Sequence, residues 1–562
     1  MEFTMLIAMA MAMAPDSDLR RQVAQLLVVR GSGHLTDPQR RYPRWELDNA
    51  TLQRLMAEGV GGVILLGGSG AELRLRCTQL QAWAGEAPLL LCADVEEGVG
   101  QRFGGASWLV PPLALGRLHQ DQPALALSLA EAYGRCTGRE ARSLGLNWVL
   151  GPVCDVNNNP ANPVINVRAW AEEPTSAGAL AAAFLTGAQA EGVLCCAKHF
   201  PGHGDTSTDS HLELPLLPHS RQRLESVELV PFQAAIAADV ASVMTAHLLL
   251  PALDPDRPAT LSAAVLNDLL RSDLGFGGLV VTDALVMEAI AGHYGAGEAA
   301  VLALEAGADL VLMPAEADEA ITAITAAVQR GRISPERLSA SLERRRRALE
   351  RCRQHGTPPP EPTSAVAPLG PLSNGPDAHA QQLASDLVQH SLRVQGGTVA
   401  WGDSGVNLIR LDSTLDCSFL PATAAALVLP SAAGLRPCLI EARSPSPWSD
   451  DGAAPLALER LGPGPVLLQL FVRGNPFRGS ADGQEPWPAV IQQLQAAGRL
   501  AGLAVYGSPY LWEHLRPLLD ATIPAAYSPG QMPLAQEVLL GRLGLGKPPS
   551  RPAPSTGGGF TD

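Results

Sequence analysis

Residues 192–200 read GVLCCAKHF. After a glycine come five apolar positions, Val193–Ala197, and then the polarity changes at once to Lys198 and His199. A run this short and apolar on both faces is the pattern of a strand buried from both sides, as in a parallel sheet covered by helices. The same plan recurs along the chain, in GVGGVILLGG (59–68), PLLLCADVE (88–96), GLNWVLGPVCDV (145–156), ASVMTAHLLL (241–250), GLVVTDAL (278–285) and GADLVLMP (307–314). Helical patterns lie between them, including 123–145 and 176–192. Such alternation over roughly 300 residues predicts a (β/α)8 barrel, with a doubly wound sheet as the alternative.

The polar residues fall at equivalent places. Asp94, Asp155, the Lys198–His199 pair, His247 and Asp283 each close an apolar run. In a barrel the C-terminal strand ends converge on one face, where active sites are built. Any one of these residues could instead cap a helix or open a loop; together they point to a shared site.

The chain of 562 residues exceeds what one core usually serves. The expected division is an N-terminal extension (1–17), a catalytic barrel (18–355), a Pro-rich linker (356–377), a smaller α/β sandwich domain (378–546) and a disordered tail (547–562). Apolar runs of the second domain include AALVLP, GPVLLQLFV and GLAVYGSP. Four consecutive arginines in ERRRRALERCRQHG (343–356) read as a solvated helix face. A net charge of −15 argues against non-specific nucleic-acid binding, and no run approaches the ~20 apolar residues of a membrane helix. Nine scattered cysteines without a CxxC read as buried thiols of a reducing compartment, so a cytoplasmic location is expected. The N-terminal apolar run lacks the basic residues that precede a signal peptide's core.

The densest chemistry lies in KHFPGHGDTSTDSH (198–211). A metal site from His203, Asp205, Asp209 and His211 lacks zincin spacing and a thiolate. A phosphate cradle lacks the lysine of a P-loop. The third reading is acid/base chemistry: the Asp209 carboxylate, two residues from His211, can reach its imidazole, fix the tautomer and raise its basicity. In that reading Gly202 and Gly204 let the loop swing.

This loop resembles the signature KH(F/I)PG(H/R)G…D-[ST]-H of glycoside hydrolase family 3, in its β-N-acetylhexosaminidase branch. ADVEEGVGQRF (93–103), GPVCDVNNNPANPVINVRAW (151–170) and GLVVTDALVMEAI (278–290) resemble further family segments in the right order. The resemblance spans roughly residues 18–350 and, more weakly, the second domain. It implies a retaining, exo-acting enzyme that removes terminal β-linked N-acetylglucosamine from oligosaccharides or muropeptides in peptidoglycan recycling, without metal or cofactor. It implies Asp283 as nucleophile, His211 as acid/base with Asp209 as partner, and Asp94, Arg102, Arg168, Lys198 and His199 as sugar ligands. Met287 and His247 read as core. The chain departs from the family at EEG (Glu96–Gly98), at Val99 and at RAW (Arg168–Trp170), all expected at the pocket mouth. The alternatives are a β-glucosidase or phosphorylase of the same family, and a non-catalytic sugar-binding protein.

Overall fold

The computed structural model describes residues 17–206, 214–354, 376–399, 401, 404–412, 417–441, 447–449, 455–473 and 485–546. The expected dyad, Asp209 and His211, lies outside them, as do most of the Pro-rich linker and the tail.

Eight short strands form the first unit: β1 (Leu27–Ser32), β2 (Gly62–Leu66), β3 (Leu90–Ala93), β4 (Trp148–Val149), β5 (Leu194–Phe200), β6 (Ser242–Thr245), β7 (Leu279–Val281) and β8 (Val311–Leu312). Every pairing is parallel, in the order β7-β6-β5-β4-β3-β2-β1-β8. A bridge between Val281 and Leu310 joins the ends, so the sheet closes into a barrel. All seven residues of β5 are buried, as its continuous apolar pattern requires.

The surrounding helices pack closely because glycines face one another. A Cβ on Gly134 of helix Pro123–Ser143 would meet the Phe184 carbonyl at 2.0 Å, and one on Gly187 of helix Pro174–Ala190 would meet that of Glu131 at 2.0 Å. The helix Ala378–Ser391, which follows the Pro-rich stretch, packs on helices Leu113–Asp121 and Pro123–Ser143. The first compact unit therefore runs through Ser391, beyond the expected boundary at 378.

The four arginines do not share a solvated face. Arg345 is buried on helix Pro335–Gln354 and donates to the carbonyls of Gly61 (2.9 Å) and Pro88 (2.7 Å), at the entrances of β2 and β3. Burial lowers its guanidinium to about 10. Arg344 reaches buried Asp309 at 3.0 Å, where Arg271 (2.6 Å), Arg337 (3.3 Å) and Ser341 (2.8 Å) also converge. Asp309 precedes β8, so this cluster pins the end of the barrel opposite the strand C-termini. A charge run read without its helix register hides which side chain turns inward.

The second unit is a six-stranded sheet: β9 (Arg393–Gln395), β10 (Gly405–Arg410), β11 (Leu435–Ile440), β12 (Val466–Val472), β13 (Leu500–Gly507) and β14 (Ala525–Ser528), ordered β11-β10-β12-β13-β14-β9. β9 alone is antiparallel. Apolar clusters cover both faces, one built with helix Trp487–Ala496 and the other with Ala425–Ala432 and Pro533–Arg542. AALVLP is therefore the helix Ala425–Ala432, whereas GPVLLQLFV and GLAVYGSP supply strands. Among the described residues, no helix of the chain is long and apolar enough to cross a membrane.

Candidate active site

β3, β5 and β7 deliver charged residues at their C-terminal ends. Asp94 follows β3; Lys198 and His199 are the last polar residues of β5; Asp283 lies two residues beyond β7. The Lys198 ammonium lies 2.7 Å from Asp94 Oδ1 and 2.7 Å from Glu96 Oε1. Glu96 in turn receives two hydrogen bonds from Arg168, both 2.8 Å. Lys198 is nearly fully buried, and the Asp94 carboxylate is 37% exposed, so Asp94 is the open end of this chain of charges. Burial opposes ionisation of all three inner groups, but their mutual attraction outweighs it. It holds the Glu96 carboxyl well below its usual range and raises Lys198 and Arg168 above theirs. Arg102 is exposed and donates to the Asp94 carbonyl at 2.9 Å.

A second network surrounds Asp155, which is fully buried. Its Oδ1 accepts the backbone N–H of His199 (3.1 Å) and His203 (2.7 Å), and its Oδ2 meets His199 Nδ1 at 2.7 Å. That contact puts the His199 proton on Nδ1 and leaves Nε2 as the basic nitrogen. Burial would raise the Asp155 carboxyl, but His199 and His203 hold it below its ordinary value. His203 Nδ1 lies 2.8 Å from the Thr206 hydroxyl, and burial pushes the imidazole down to about 4. Asn162 ties the loop to the 155–168 segment by donating to the carbonyls of His203 (2.8 Å) and Gly204 (2.9 Å).

The glycines of PGHG are needed for close approach. A Cβ on Gly204 would meet the Val156 carbonyl at 1.7 Å, and Gly202 has φ +132° with Glu228 against it. Up to Thr206 the loop is therefore pinned, contrary to the expected swing at these two positions.

Asp283 is half-buried, and its Oδ1 accepts the Ala284 N–H at 2.7 Å. His247 is a buried core residue: Nδ1 meets the Thr260 hydroxyl at 2.8 Å and Nε2 meets the Ala284 carbonyl at 3.1 Å. It thereby fixes the peptide next to Asp283. Met287 is also buried.

The departures expected at the pocket mouth lie in the core. Glu97 is buried and accepts from Trp108 Nε1 at 2.9 Å; Val99 is fully buried. Trp170 is buried against Tyr133 and Phe184, with ring centroids 5.6 and 5.4 Å away. Glu96, the hub of the first network, has no role in the sequence reading, where it stands only as the first residue of the altered EEG triplet. Asp155 carried the strand-end signal but received no role.

Among the described residues one group could offer a metal three donors: Asp205, His219 and Glu228. Arg223 already supplies a cation there, 3.6 Å from Asp205 and 3.3 Å from Glu228.

Residues 18–348 match the N-terminal domain of glycosyl hydrolase family 3, and residues 399–544 match the bacterial C-terminal domain of that family. The chain belongs to glycosyl hydrolase family 3. It is 37% identical over 276 residues to a β-hexosaminidase of Stenotrophomonas maltophilia, covering 48% of this chain and 81% of that one. It is 35% identical over 283 residues to β-hexosaminidase A of Pseudoalteromonas piscicida, covering 46% of this chain and 47% of that one; the match thus spans about half of that relative. A solved family 3 β-N-acetylglucosaminidase from a Paenibacillus species has a TM-score of 0.74 at 29% identity, covering 94% of this chain and 96% of that one. The barrel-plus-second-sheet fold is thus that of a family 3 glycoside hydrolase.

Proposed function

We propose that the chain is a retaining, exo-acting β-N-acetylhexosaminidase that removes terminal β-linked N-acetylglucosamine. The observation that carries the reading is the junction of Asp94, Lys198, Glu96 and Arg168 on the barrel face that also bears Asp283. Sugar hydroxyls need charged, directional partners, and Asp94, with Lys198 behind it, offers a carboxylate that accepts while remaining open to solvent. Arg102, Arg168, Lys198 and His199 complete the sugar ligands in this reading. The relatives named β-hexosaminidase support the choice of sugar.

Asp283 attacks the anomeric carbon, and the glycosidic oxygen leaves with a proton from His211, whose partner is Asp209. A covalent glycosyl-enzyme forms. His211 then takes a proton from water, which attacks the same carbon and returns the Asp283 carboxylate. The Ala284 N–H donates to Asp283 Oδ1 at 2.7 Å and helps to orient its carboxylate. The natural substrates in this reading are peptidoglycan fragments, trimmed in the cytoplasm during recycling.

The test is p-nitrophenol release from the β-N-acetylglucosaminide and the β-glucoside, with and without phosphate, by the wild type and His211→Ala. Preference for the N-acetyl sugar, no need for phosphate and a loss of about 10²–10⁴-fold in the variant are expected. Preference for the glucoside, or an unchanged pH profile in the variant, contradicts the reading.

A further inference from the structure

In the chain, Asp209 and His211 are bracketed by two residues that the chemistry above does not use. Asp205 comes just after PGHG, and His219 follows it by 14 positions. His219 Nε2 meets Asp205 Oδ2 at 3.0 Å. Glu228, between helices Arg221–Ser226 and Val230–Ala237, brings a third donor, and the three donor atoms lie within 4.8 Å of one another.

Fixed backbone carries all three. Asp205 follows the pinned PGHG turn. The Leu217 N–H donates to the Leu249 carbonyl at 2.9 Å, and the Leu249 N–H to that of Pro215 at 2.9 Å, which anchors the chain two residues before His219. Glu228 packs against Gly202, where an added Cβ would lie 2.8 Å from its own.

The charge of the cluster is poorly met. Glu228 is 2% exposed; its Oε1 accepts from Arg223 at 3.3 Å, and its Oε2 is buried without a hydrogen-bond partner. The same Arg223 nitrogen lies 3.6 Å from Asp205 Oδ2, and the Arg223 side chain is 37% exposed. Both contacts are longer than the ~2.8 Å of a well-formed guanidinium–carboxylate pair. Two carboxylates thus face one loosely held guanidinium. Burial raises the Glu228 carboxyl above its ordinary value, and Arg223 only partly offsets this.

One imidazole nitrogen and two carboxylate oxygens suit Zn²⁺ better than Mg²⁺ or Ca²⁺, which prefer oxygen shells. Ligands about 2.1 Å from a tetrahedral ion stand about 3.4 Å apart, so the contact between Asp205 and His219 needs little adjustment. We propose that Asp205, His219 and Glu228 form a Zn²⁺ site, in which the ion replaces the Arg223 guanidinium and ties together the two stretches of chain that flank Asp209 and His211. His219 ligates through Nε2 with its proton on Nδ1, water completes the shell, and Arg223 turns out to solvent. The site itself stands apart from the glycosidase reading; its influence on turnover rests on that reading, through the acid/base pair between the ligands.

The experiment titrates Zn²⁺ calorimetrically into the chelator-treated full chain, with Co²⁺ added in parallel for its visible absorption. One Zn²⁺ per chain is expected, with a Kd of about 1 µM or below, and excess Mg²⁺ should not compete. His219→Gln and Glu228→Gln should each weaken binding by about tenfold or more and abolish the Co²⁺ spectrum. Arg223→Gln should tighten binding several-fold, because the competing cation is gone; a merely structural cluster shows no such gain. If Glu228→Gln does not fold, His219→Gln and Arg223→Gln, at partly exposed positions, carry the test. Wild-type binding no tighter than that of His219→Gln, displacement by Mg²⁺, or no gain in Arg223→Gln overturns the site. On p-nitrophenyl N-acetylglucosaminide, kcat should follow Zn²⁺ occupancy with KM little changed, and the response should vanish in His219→Gln. A kcat indifferent to bound Zn²⁺, or a response that survives in His219→Gln, overturns the link to the acid/base pair. Absence of turnover with and without Zn²⁺ overturns the glycosidase reading, and the binding arms still decide the site.

Discussion

His203 should make the barrel lose stability on mild acidification. Its imidazole is 2% exposed, and burial lowers it from the ordinary 6.5 to about 4. The unfolded chain therefore binds this proton more readily than the folded one. Stability is full above pH 6.5, falls as pH drops through that value, and levels off below about 4. The drop from 6.5 to about 4 corresponds to roughly 3 kcal/mol at the acid limit, of which about 2 kcal/mol is lost between pH 7 and pH 5. Urea denaturation at a series of pH values, followed by tryptophan fluorescence, measures this directly. His203→Gln should have lower stability at pH 7, having lost the ring's hydrogen bond with the Thr206 hydroxyl, but its curve should lack about 2 kcal/mol of the wild type's fall between pH 7 and pH 5. Parallel curves for the two proteins would refute the argument that His203 is kept neutral by burial.

Two further perturbations address the charged networks. Glu96→Gln removes the hub between Lys198 and Arg168, leaving buried cations short of a counter-charge; a loss of about 3–5 kcal/mol in denaturation is expected, with a higher KM for any N-acetylglucosaminide. Asp309→Ala strips the common partner of Arg271, Arg337 and Arg344, far from the strand C-termini. It should cost a similar about 3–5 kcal/mol while leaving KM within about twofold for the protein that remains folded, because distant sites add nearly independently.

These networks also explain a cost the fold accepts. Buried ion pairs seldom stabilise a protein relative to apolar packing. Lys198, Glu96 and Arg168 are held in place beside the exposed edge of Asp94. Such preorganisation is what a polar ligand needs, because the groups are already desolvated and oriented before it arrives.

The barrel was legible because its strands are buried on both faces. GVLCCAKHF has no polar position before Lys198, and the other runs repeat that pattern at regular intervals. The meeting of Asp94 with Lys198 and of Asp155 with His199 fits strand-end position alone. Hydrogen-bond hubs were not legible in the same way: Asp155 and Glu96 act on residues 44 and 72 or more positions away, a pairing that no local pattern encodes. Arg345 was not distinguishable in the arginine run, because only helix geometry turns it towards Gly61 and Pro88 while Arg346 and Arg347 stay exposed. Whether AALVLP is helix or strand was not legible, because a short apolar run fits a strand as well as a buried helix. PGHG was misread for a related reason, since glycine serves close packing as readily as it serves motion.

The most direct test of the account is to incubate the protein with a fluorinated N-acetylglucosaminide bearing an activated leaving group. Such a compound slows turnover of the glycosyl-enzyme, and the trapped adduct can be located by peptide mass spectrometry. The account predicts a single adduct on the peptide containing Asp283, absent in Asp283→Asn. A label on another carboxylate, or steady turnover of the unfluorinated substrate by Asp283→Asn, would contradict it.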